Sequence, residues 1–101
     1  INNLTAICQL VNDNFINSVF SVVERKYCLS RRDPAQHFAG TFAAKEAVQK
    51  AAGNPSLMRD IEIRRLKSGK PEVWLKGRPS KKFLVSISHD GAYACAIALR
   101  Q

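Results

Sequence analysis

Glu46 and Lys50 lie within the stretch FAGTFAAKEAVQKAAG, residues 38–53. Helical spacing places side chains four apart on one face. Glu ahead of Lys is the favourable order for a surface ion pair, worth about 0.3–0.5 kcal/mol. The same two groups can do other chemistry. A carboxylate is a hard oxygen ligand for Mg2+, which takes one or two carboxylates and fills its shell with substrate phosphates and water. An ammonium one turn further on can hold a phosphate or meet a reacting proton. Surface pair and metal-phosphate site are both open at this point.

A second group of candidates sits in SISHDG, residues 86–91. His89 ends a strand beside a tight turn. It is either a structural or solvated histidine, or a phosphate-binding or proton-handling one, since its charge changes near neutrality. Ser86 and Ser88 face away from Val85 and Ile87, and their hydroxyls serve the sheet or a bound anion. A third candidate is SGKP, Ser68 to Pro71. Gly69 and Lys70 offer backbone N–H groups and an ammonium to a phosphate, or simply form a hairpin turn with a surface lysine. This is not a Walker A loop, because the spacing is missing and the turn lies between strands. Phe38 and Phe42 read as core, and Trp74 as packing or surface cover.

The elements that must position these residues follow from periodicity. Apolar Leu4, Ile7, Leu10 and Val11 give a first helix, and a second short one covers Ser21 to Leu29. Asp33 as N-cap with Pro34 behind it starts a long helix, which Gly53 should end. From Asp60 the period becomes two. DIEIRRL and EVWL read as strands around a KSGKP turn, and FLVSISH and AYACAIAL as a hairpin around Asp-Gly. Helices followed by antiparallel strands define an α+β class, one long helix on a small antiparallel sheet. The last strand has an all-alanine face and the helix is alanine-rich, so the helix should lie across it.

Composition bounds the rest. The chain has 101 residues, one domain's worth, with 46% hydrophobic and 24% charged residues, which excludes a disordered chain. Sixteen Lys and Arg face eight Asp and Glu, and all sixteen basic residues lie from Arg25 onward. The net charge of +8 implies polyanionic partners: nucleic acid, a phosphate-rich cofactor or an acidic protein. Cys8, Cys28 and Cys95 are odd in number without CxxC spacing, which fits a reducing, cytoplasmic setting and small buried hydrophobes. No apolar run reaches the length of a membrane span, and no basic segment opens a secretory signal. The chain begins with Ile1, as a fragment or processed product would.

FAGTFAAKEAVQK, DIEI, SGKP and SISHDGAYACAIAL, in that order, resemble the short 4′-phosphopantetheinyl transferases, the holo-[acyl-carrier-protein] synthases. The similarity runs from about Phe15 to Leu99. It implies that residues 1–101 form a single transferase domain that moves phosphopantetheine from coenzyme A (CoA) to a serine of an apo acyl carrier protein, releasing 3′,5′-ADP. It implies Glu46 as ligand to Mg2+ on the CoA pyrophosphate and Lys50 at the CoA phosphate and reacting centre. His89, with Ser86 and Ser88, would line the nucleotide site, and Gly69, Lys70 and Pro71 the adenine end. Stand-alone members of this family are trimers with sites between subunits, so a homotrimer is expected.

Three departures qualify the resemblance. The family's Gly-[IL]-Asp strand, whose Asp is the other metal ligand, would fall at or before Ile1. The first helix lacks the Arg residues that dock carrier protein. Thr41 stands where stand-alone bacterial members often have Arg, and Gly-Thr is closer to the transferase domain of multienzyme fatty acid synthases. The alternatives are an idle structural domain of such a megasynthase and a basic nucleic-acid-binding module, although no known nucleic-acid motif is present.

Overall fold

The computed structural model describes residues 13–53, 58–91 and 93–101. The helix expected over Leu4–Val11, and Cys8 within it, lie outside these residues. Among the described residues, α1 (Asp13–Val19), α2 (Val22–Leu29) and α3 (Pro34–Ala52) precede a 3-10 turn and five strands. The strands are β1 (Ile61–Arg65), β2 (Pro71–Leu75), β3 (Arg78–Pro79), β4 (Phe83–Asp90) and β5 (Tyr93–Arg100). The α+β class is as expected, and none of the described helices is long and apolar enough to cross a membrane.

The helix boundaries follow from capping. Ser21 Oγ accepts from the Glu24 N–H at 3.2 Å, and Glu24 Oε1 accepts from the Ser21 N–H at 2.9 Å, a reciprocal capping box. Asp33 Oδ1 accepts from the Gln36 N–H at 3.3 Å at the start of α3. The helix ends at Gly53 with φ 75°, a left-handed cap that favours glycine.

The strands divide into two sheets where one was expected. β1, β2 and β3 form one antiparallel sheet, and β4 with β5 forms a hairpin pairing Phe83 with Arg100 and Asp90 with Tyr93. β3 is two residues long and ends on Pro79, which has no N–H to extend the ladder. Both sheets still share a core of Ala44, Val48, Ile61, Ile63, Val73 and Phe83. A second cluster joins Phe20, Cys28 and Phe38, with the rings of Phe20 and Phe38 edge to face at 4.9 Å. Phe42 packs against it, so both α3 phenylalanines are core residues.

Helix α3 lies across the β4–β5 hairpin, with Ala96 and Ala98 packed against its buried stripe. Gly40 faces this hairpin with no room for a side chain. A Cβ there would stand 2.9 Å from Ile87 Cγ2 and 3.2 Å from His89 Cδ2. The opposite face of the hairpin is bare: Leu84, Tyr93, Ile97 and Leu99 are each about half or more exposed. Cys95 is exposed on that face, so the expectation of a buried thiol is corrected for it and holds for Cys28. Strand alternation sends every other β5 residue outward. Trp74 is a surface cover: the Arg64 guanidinium stacks 3.7 Å over its ring, and its Nε1 donates to Glu72.

Candidate active site

Lys45 decides which way Glu46 points. Its Nζ lies 2.7 Å from Glu24 Oε1, and both side chains are fully buried. The other carboxylate oxygen, Glu24 Oε2, accepts the Ile63 N–H at 2.7 Å. One carboxylate thus ties α2, α3 and β1 together. Burial pushes the Glu24 carboxyl pKa up, against the opposing pull of Lys45 and the N–H donors of Ile63 and Ser21. Burial pushes the Lys45 ammonium pKa down, against the pull of Glu24. With Lys45 turned inward, the next residue is rotated by about 100° around the helix. Glu46 and Lys50 are accordingly both exposed.

Among the described residues, the ion pairs are Lys45–Glu24 and Arg64–Glu62, so Glu46 and Lys50 are not paired with each other. No cluster of three or more His, Cys, Asp or Glu is placed among them to hold a metal. Glu46 supplies one hard oxygen donor with no competing cation. That donor set fits a Mg2+ whose remaining ligands are phosphate oxygens and water.

His89 lies on the α3 side of β4, beside Gly40, with its ring 5.5 Å from that of His37. Burial lowers the His37 pKa first, and neighbouring His89, Arg65 and Arg31 lower it further, with Asp33 opposing. Ser86 and Ser88 are exposed on the other face of the strand, the face that carries Leu84. Within one chain they do not join His89. Gly69 and Lys70 lie in the β1–β2 turn and Pro71 opens β2; the Lys70 N–H donates to Ser68 Oγ. A cleft of about 280 Å³ opens beside Lys70 and Pro71, walled by Val73, Phe83 and Val85.

The candidates therefore fall in four places. Phe83, at the cleft, and His89 stand at opposite ends of β4, about 20 Å apart at the rise of an extended strand. Along α3, Glu46 lies about 13 Å beyond the His37 level at helical rise. Sequence reasoning missed Glu24, Lys45, His37 and Arg65. The Ser21-x-x-Glu24 capping box was a signal for the first. Arg65, in phase with buried Ile61 and Ile63 on β1, was a signal for the last.

Comparison with known proteins agrees with this architecture. The family model described as the 4′-phosphopantetheinyl transferase superfamily matches residues 4–98. A holo-[acyl-carrier-protein] synthase of Protochlamydia amoebophila is 41% identical over 108 residues, covering 98% of this chain and 88% of the relative. The fatty acid synthase subunit alpha of Schizosaccharomyces pombe is 38% identical across 95% of this chain, which corresponds to only 6% of that protein. Among solved structures, a holo-(acyl-carrier-protein) synthase of Bacillus anthracis in complex with CoA (3′,5′-ADP) superposes with a TM-score of 0.77. It is 30% identical, over 94% of this chain and 85% of that one. The chain belongs to the 4′-phosphopantetheinyl transferase superfamily.

Proposed function

We infer that the chain transfers 4′-phosphopantetheine from CoA to a serine of an apo acyl carrier protein. The serine hydroxyl releases its proton to solvent as its oxygen forms a bond to the phosphorus that carries pantetheine. The bond from that phosphorus to the bridging oxygen breaks, and 3′,5′-ADP leaves. The observation that carries this assignment is the exposed stripe of Glu46, in the Lys-Glu-Ala motif, and Lys50, one turn beyond it, held outward by buried Lys45.

Lys50 offers a cation to the diphosphate and to the charge that builds on the leaving group. Glu46 would hold Mg2+, which when bound neutralises diphosphate charge and aligns the reacting groups. His89, Ser86 and Ser88 would line the nucleotide, and the cleft at Gly69, Lys70 and Pro71 would take the adenine end. Residues 1–101 act as one transferase domain.

A homotrimer with sites between copies reconciles the four separate places. Support comes from the bare apolar face carrying Tyr93, Ile97 and Leu99, together with Ser86 and Ser88. A second copy laid there would cover that face. The +8 charge suits an anionic cofactor and an acidic carrier protein. The thiols Cys28 and Cys95 suit a reducing compartment, the cytoplasm.

The test is mass spectrometry of an apo carrier protein incubated with the chain, CoA and Mg2+. A mass gain of one phosphopantetheine on the carrier serine, lost in Lys50→Ala, is expected. An unmodified carrier together with undetectable CoA binding would instead favour the idle structural domain.

A further inference from the structure

A second cleft, of about 270 Å³, opens where the end of α3 meets β1, β2, β4 and β5. Its floor is apolar: Val48, Ile61 and Phe83 are buried, and Leu75 packs beside them. Its rim is basic. Exposed Lys76, Lys82 and Arg100 border it with one acid, Asp60. Among the described residues none of these four charges is in an ion pair. Arg100 Nη1 donates to the Ala52 carbonyl at 3.5 Å, so its guanidinium reaches over to the last turn of α3.

Lys76 is held at this rim at a conformational cost. Lys76 and Gly77 form the two-residue turn between paired Leu75 and Arg78, with φ 49° and 81°. Such a turn takes positive φ at both residues and favours Asn, Asp or Gly at the first. Lys76 is the one described non-glycine residue with positive φ. Its N–H donates to the Asp60 carbonyl at 2.9 Å, which fixes the turn against the cleft. A cation thus stands where a better turn former would relieve the backbone, and stored strain of this kind gathers at binding sites.

Size, floor and rim together select a ligand. At roughly 30 Å³ for a water-sized group, the cleft holds about nine non-hydrogen atoms. That is too small for a nucleotide and suits a molecule with an apolar tail and an anionic head. We propose that the cleft binds an aliphatic carboxylate of about six to eight carbons, its tail on Ile61 and Phe83 and its head between Lys76, Lys82 and Arg100. The cleft is separate from the Glu46–Lys50 stripe, because Lys50 lies about 200° around the helix from both Val48 and Ala52. Such a site stands whether or not the chain transfers phosphopantetheine.

The test is an NMR titration of the full chain with octanoate, butanoate and octylammonium, each kept below its micelle range. Octanoate should shift the methyl resonances of Val48, Ile61 and Leu75 saturably. Butanoate should bind about tenfold or more weakly, since each buried methylene is worth about fourfold. Octylammonium, with the same tail and the opposite charge, should give no saturable shift. Lys76→Asn should raise the thermal midpoint by relieving the turn, yet weaken octanoate about fivefold or more, and Arg100→Gln should weaken it similarly. The octanoate shifts should survive saturating CoA; displacement by CoA would make the cleft part of the co-substrate site and overturn a separate one. Equal binding of octanoate and octylammonium would overturn the anion site and leave an unspecific apolar contact. Unchanged octanoate affinity in both variants would overturn the assignment of the head group. An absence of saturable shifts, in a wild type whose dispersed methyl spectrum shows it folded, would overturn the site altogether.

Discussion

Lys45 Nζ and Glu24 Oε1 meet at 2.7 Å with neither side chain exposed. The pair sits directly before the residue expected to do chemistry, and it anchors the helix to β1 through the Ile63 N–H. Removing one partner strands the other as an uncompensated buried charge. Lys45→Met should therefore cost about 3–5 kcal/mol in urea unfolding. The double change Lys45→Met, Glu24→Leu should recover much of that loss, because an apolar replacement leaves no charge unpaired. Equal stability of the single variant and wild type would contradict the buried pair.

Gly40 lets α3 pack tightly against Ile87 and His89 of β4. Gly40→Ala places a methyl 2.9 Å from Ile87 Cγ2 and 3.2 Å from His89 Cδ2. Overpacking of this kind should cost about 1–3 kcal/mol, offset in part by the better helix propensity of alanine. Thermal unfolding gives the cost, and a shifted His89 ring resonance gives the displacement. A stable variant with an unmoved His89 would mean that the helix and strand are further apart.

His37 gives the fold a pH dependence of definite sign. Its folded pKa is lowered from 6.5, chiefly by burial and then by His89. Below that value the unfolded chain takes up a proton that the folded chain resists. The stability associated with His37 is thus present above about pH 6.5 and lost as pH falls toward the lowered folded value. Urea midpoints of His37→Gln should fall less between neutral and mildly acid pH than those of the wild type. Parallel curves would contradict the assignment.

The outer face of β4–β5 provides a test of assembly. Ile97 and Leu99 are each 61% exposed, which invites a covering partner. Ile97→Lys with Leu99→Glu should convert the proposed trimer to a monomer on a sizing column with light scattering, and cost little in the monomer fold. A wild type that is monomeric at high concentration would contradict the homotrimer.

The strong local signals in the sequence were legible. Asp33-Pro34, Gly53 and Asp90-Gly91 each mark a boundary through capping or turn chemistry, and they fall where expected. Alternation along FLVSISH and AYACAIAL set Ser86 and Ser88 opposite Val85 and Ile87, and alanine on the inner face foretold the helix crossing, but the strand position of His89 was not followed to its consequence, a face apart from the two serines. Pairing across sheets was not legible, because Pro79 interrupts the ladder for a reason that periodicity does not register. Lys45 was overlooked beside Glu46: a lysine in a charged helix reads as solvated until Glu24, from another helix, is brought under it. The His37–His89 contact likewise depends on the closeness that Gly40 permits, which is a property of the packed molecule.

The most direct test of the account is CoA binding with and without Mg2+, comparing the wild type with Glu46→Gln. Glu46 is exposed and makes no ion pair among the described residues, so the substitution should leave stability within about 0.5 kcal/mol. Mg2+ should strengthen CoA binding in the wild type, and that strengthening should be lost in the variant. Identical binding in both proteins, with or without Mg2+, would contradict a metal-binding Glu46 and return it to the solvated face of a helix.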